Sequence, residues 1–143
     1  MTLEEKMKLS QNYNTSVDTL RVLSKAEEAW IRAYIAENPS TPDDILRDLA
    51  KDTKSWVRAY TAQNSNTPDD VLKDLIPDIN YSIRYSMSKN TKDSISPILV
   101  MLFEYENSLK IPHIFTILNL YENSKLPYIV KVVIETLYKE VQK

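Results

Sequence analysis

The chain has 143 residues, 43% of them apolar and 27% charged, with a net charge of −2. That length buries a core without metal or disulfide support, and the charge balance supplies no bulk field for nucleic acid or an anionic membrane. Cysteine and glycine are both absent, which excludes disulfides, thiolate metal sites and cysteine nucleophiles, together with phosphate loops, dinucleotide fingerprints and nucleophile elbows in their glycine-dependent forms.

Residues 1–11 begin without an apolar h-region, so no signal peptide is expected there. Thr2 followed by Glu5 has the spacing of a capping box, and a helix is expected from that point. Lys6 falls in the column later occupied by Arg32, so this stretch reads as a degenerate N-terminal helix that covers the first hydrophobic face.

From Asn12 the chain repeats with a period of 26. Residues 12–37 and 38–63 are identical at twelve of 26 positions, and 64–89 continues the register. A fixed period of this size is the signature of a solenoid. The expected fold is therefore all-α: about three 26-residue helical pairs over 12–90, within a single domain spanning 1–143.

Each unit reads as two short helices. Thr41 is the expected N-cap of the first helix, with Pro42 at its first position and Asp43 and Asp44 beside its positive end. Thr67, Pro68, Asp69 and Asp70 repeat that arrangement, and Thr15 and Ser16 weaken it. The paired aspartates are read as helix starts, because calcium loops need further oxygen ligands. The second helix carries Trp-x-Arg-Ala-Tyr-x-Ala, as Trp30–Ala36 and Trp56–Ala62. At about 100° per residue this gives a bulky arc and a small-residue arc, and Tyr34 and Tyr60 are expected in the core. Asn12, Asn38, Asn64 and Asn90 open successive units. Without glycine, asparagine is the expected left-handed helix stop, and a ladder of side-chain bonds between units is expected from these four.

Residues 91–143 are expected to form C-terminal capping helices. Their apolar stretches open at Ile95, Pro112 and Pro127, and the breadth of the last apolar face makes 111–143 a candidate homodimer surface. The longest uninterrupted apolar run, Ile98 to Phe103, is too short to span a bilayer. A soluble, cytoplasmic protein is expected.

The block from Asn38 to Asn66 resembles the variant leucine-rich repeat, a bacterial relative of HEAT-type helical repeats. Asn38, Pro39, Thr41, Pro42, Leu46, Leu49, Ala50, Asp52, Val57, Arg58, Ala62 and Asn64 occupy that family's Asn-Pro-x-Thr-Pro, Leu-x-x-Leu-Ala, Asp, Val-Arg and Ala-x-Asn columns. The resemblance is weaker over 12–37 and 67–90 and stops beyond them. It implies a right-handed superhelix of stacked short helices and a role as an interaction module, with no common enzymatic activity to carry over. The period of 26 departs from the family's usual 24. The iron–sulfur cluster of some members is not carried over, because its cysteines are missing.

Candidate chemistry is sparse. His113 is the only histidine and has no recurring carboxylate partner, and no nucleophile, base and acid stand in a catalytic arrangement. No enzyme, metal or cofactor is expected. The recurring cations Arg32, Arg58 and Arg84, extended by Lys6 and Lys110, form one column. Facing solvent, this column would hold an acidic protein surface or phosphates. The repeated Asp-x(5)-Arg spacing favours instead pairing with Asp52 and Asp78. The functional expectation is a non-catalytic adaptor or inhibitor that binds an acidic or extended protein along its second helices. A HEAT-like binder of nucleic-acid backbone, disfavoured by the charge of −2, and a homodimerising structural subunit are the alternatives.

Overall fold

A computed structural model describes residues 1–78 and 80–108. The expectations for Pro112, His113, Pro127 and the homodimer surface 111–143 lie outside the described residues, as does Lys110. Among the described residues the chain forms eight helices and no strand, so the fold is all-α.

After α1 (Leu3–Gln11), the chain alternates α2 (Val17–Leu23), α3 (Ala29–Glu37), α4 (Asp43–Leu49), α5 (Ser55–Gln63), α6 (Asp69–Leu75) and α7 (Tyr81–Ser88), then enters α8 (Ile95–Ser108). The starts of α2, α4 and α6 follow the 26-residue register of the sequence, as do those of α3, α5 and α7. Helices of seven to nine residues are marginal in isolation, so tertiary packing must hold these. Helix α3 packs against α1 and α5, and α5 packs against α7; α2, α4 and α6 each pack on the helix that follows. Helix α8 lies against α6 and α7. Two apolar clusters fill the interior, one built on Leu20, Ile31, Ile35 and Ile45, the other on Leu72, Ile83, Met87 and Leu99.

Helix ends expose four unsatisfied carbonyls each, and this chain satisfies many of them from other segments. Asn38 Nδ2 donates to the carbonyls of Ser10 (3.3 Å) and Asn12 (3.2 Å). Asn64 does the same to Ala36 (2.7 Å) and Asn38 (3.1 Å), and Asn90 to Ala62 (2.8 Å) and Asn64 (2.9 Å). The amide oxygens of Asn12, Asn38, Asn64 and Asn90 each accept from the backbone N–H two residues on.

Two local expectations are corrected. The capping asparagines are extended rather than left-handed: φ is −64° and ψ 121° at Asn38, −66° and 123° at Asn64, and −87° and 119° at Asn12. An asparagine that closes a turn through its own side chain needs no positive φ. Thr41 and Thr67 do not cap the helices they precede, since neither α4 nor α6 has a side-chain cap bond. Their hydroxyls instead donate backwards, to Ile35 (2.6 Å) and Thr61 (2.5 Å), at the end of the preceding helix. In a continuing helix the partner of the Ile35 carbonyl would be residue 39, a proline with no N–H. The capping box of Thr2 and Glu5 is formed as expected.

Helices α2, α4 and α6 are further linked by Arg21–Asp44 and by Arg47–Asp70 at 2.5 Å. All four side chains are largely exposed. Arg47→Ala is therefore expected to leave the melting temperature within experimental error, as thermal denaturation by circular dichroism would show.

Candidate functional site

Among the described residues, the cations of the arginine column are engaged within the fold. Arg32, on α3, grips Asp52 in the turn before α5 through Nε (2.6 Å) and Nη2 (3.1 Å). Arg58, on α5, grips Asp78 in the turn before α7 at 2.8 and 3.1 Å. The third nitrogen of each fork turns back to a carbonyl six residues earlier, that of Ala26 for Arg32 and Asp52 for Arg58. Arg84 donates likewise to the Asp78 carbonyl (2.6 Å) and is buried. Lys6 pairs with Glu28 at 3.1 Å.

These pairs are well shielded. Side-chain exposure is 15% for Arg32 and 8% for Asp52, and 16% for Arg58 and 11% for Asp78. Burial alone would push Asp52 and Asp78 up, but the guanidinium hydrogen bonds and the N–H groups of Lys54 and Asn80 outweigh it. Both carboxyls are held below their ordinary value. The hydrogen bonds to these carboxylates raise Arg32 and Arg58 in turn.

Helices α5 and α7 expose aromatic side chains to solvent. Trp56 is 42% exposed, Tyr60 38%, Tyr81 59% and Tyr85 38%. Half-buried Trp30 and Tyr34 occupy the matching positions on α3, edge to face with ring centroids 6.0 Å apart. The expectation that Tyr60 is core is corrected: Val57, Thr61 and Ala62 form the buried side of α5, and Trp56, Tyr60 and Gln63 the other. The polar residue at 37 and 63, completing an i, i+4, i+7 stripe with each Trp and Tyr, was the sequence signal that this arc points outward.

At the C-terminal ends of α3 and α5 the face runs into a cleft of about 290 Å³, lined by Tyr13, Glu37, Pro39, Tyr60, Gln63, Asn64, Ser65 and Thr91. Residues 13, 39, 65 and 91 each follow a ladder asparagine. Asn64 is already committed through its amide nitrogen and oxygen. Among the described residues of the lining, Glu37 is the only carboxylate. Among the described residues no three acidic or histidine side chains gather as a metal site, and no helix is long and apolar enough to cross a membrane.

Comparison with family models, curated proteins and solved structures finds no match to this chain.

Proposed function

We propose that this chain is a non-catalytic binding module of helical-repeat type, its helix pairs stacked as a right-handed solenoid, that holds an extended segment of another protein along its second helices. The observation that carries this reading is the exposure of Trp56, Tyr60, Tyr81 and Tyr85 on neighbouring helices α5 and α7. Large aromatic side chains in water are costly to leave uncovered, and Trp and Tyr dominate the energetic centres of protein interfaces. The pairing of Arg32 with Asp52 and of Arg58 with Asp78 leaves little reason for an acidic partner, so the extended alternative is preferred.

Site-specific photo-crosslinking tests it. A crosslinker at position 60 is expected to trap a protein of discrete mass in the native host, while one at position 48, exposed on α4, traps none. Trp56→Ala with Tyr60→Ala should weaken that partner's binding by about thirtyfold or more with little change in melting temperature. Equal trapping from both positions, or none from position 60, would sink the reading.

A further inference from the structure

We infer that the cleft at the C-terminal ends of α3 and α5 holds one basic side chain, lysine or arginine, of the extended partner. This rests on the function proposed above and names the chemistry that its partner must carry. The sign is opposite to that expected from the arginine column, of which Arg32, Arg58 and Arg84 are engaged inside the fold.

Three features of the cleft select a cation. Tyr13 is 63% exposed and Tyr60 38%, and both line the cleft. The face of a phenol ring attracts ammonium and guanidinium groups. Glu37 adds a formal negative charge, is exposed, and has no ion-pair partner among the described residues. The cleft also lies where α3 ends at Glu37 and α5 at Gln63, so two helix macrodipoles present their negative ends to it. An anionic side chain would meet the carboxylate and both dipoles unfavourably.

Elsewhere on the second helices a tyrosine already takes an ammonium group from within the chain, since Lys89 Nζ lies 5.4 Å from the centroid of the Tyr85 ring. Gln63, exposed beside the tyrosines, offers an amide to the main chain of an incoming strand.

The probe is a blocked pentapeptide, Gly-Ser-Lys-Ser-Gly, with versions carrying Arg, Gln or Glu at the centre, titrated into the full chain and followed by backbone amide NMR. The Lys and Arg peptides should shift the amides of Glu37, Gln63 and Ser65 saturably. The Gln peptide should bind about fivefold more weakly, and the Glu peptide should not saturate. Glu37→Gln and Tyr13→Ala, both at exposed side chains, should each weaken the Lys peptide by about threefold to tenfold. Equal binding of the Glu and Lys peptides, or unchanged affinity in Glu37→Gln, overturns the inference.

The crosslinking experiment separates the two readings. If position 60 still traps its partner but the peptides show no preference for a basic centre, the aromatic face stands and the cation site falls. If the Lys peptide saturates with the expected loss in Glu37→Gln while position 60 traps nothing, the cation site stands and the larger reading falls.

Discussion

Asn64→Ala is expected to destabilise the fold by about 2–4 kcal/mol, measured by urea denaturation at neutral pH. The side chain is buried and makes three bonds: Nδ2 to the Ala36 and Asn38 carbonyls, and Oδ1 from the Asn66 N–H. The Ala36 carbonyl has particular need of it. A continuing helix would bring the N–H of Ser40 there, but that group is drawn off to Asn38 Oδ1 at 2.9 Å. A buried carbonyl stripped of its donor costs about 1–3 kcal/mol, more than the bond itself contributes. Asn64→Asp isolates the donor function. The carboxylate keeps an acceptor for Asn66 but loses both donations and sets a charge against two carbonyl dipoles, so it should destabilise at least as much as alanine at neutral pH. If either variant unfolds at the wild-type urea concentration, the ladder is not a principal support of the packing between units.

How far this was legible in the sequence depends on the range of each interaction. A residue type returning at Asn12, Asn38, Asn64 and Asn90 points to contacts between neighbouring units, and the ladder is that contact. The aspartates at 52 and 78 were likewise visible as partners, of the arginine's own unit or of an adjacent one. The side-chain bonds run forward to the adjacent unit, from Arg32 to Asp52 and from Arg58 to Asp78, and the nearer aspartate gives Arg58 its backbone carbonyl. Thr41 misled for a related reason. Thr-Pro-Asp-Asp satisfies every local rule for a helix start, and a local pattern cannot reveal that the preceding helix ends at a carbonyl in greater need of the hydroxyl. Tyr60 departs from its expected place in the core because aromatic character alone is no sign of burial. The Val57, Thr61 and Ala62 side of α5 is enough to fill the space against its neighbours. The cleft was beyond reach, because Tyr13 and Tyr60 meet only through packing of separate units.

Arg58→Met is expected to cost about 2–4 kcal/mol at neutral pH, somewhat below the value for a fully buried pair because Asp78 keeps 11% exposure. Methionine retains the apolar stem, so the loss falls on the charge and its bonds. Asp78 then remains shielded and ionised with the Asn80 N–H and the nearby charge of Arg84 to support it, and the Asp52 carbonyl loses its guanidinium donor. Asp78→Asn in the same chain should recover part of the loss, giving a favourable coupling in a double-mutant cycle. The pH dependence follows from the directions of the shifts. In the wild type, Asp52 and Asp78 sit below the ordinary value of 3.8, so their pairs contribute full stability above that value and lose it as pH falls through the depressed folded values. In Arg58→Met, burial is no longer outweighed by the guanidinium, so the Asp78 carboxyl moves upward and protonates earlier in an acid titration, which relieves the penalty of burying its charge. The stability gap between wild type and variant should therefore be widest near neutral pH and narrow below about pH 4. A gap that stays constant from neutral to acid pH would mean that Arg58 acts through packing alone, and the chain of guanidinium and carboxylate from Arg32 to Arg84 would lose its electrostatic role.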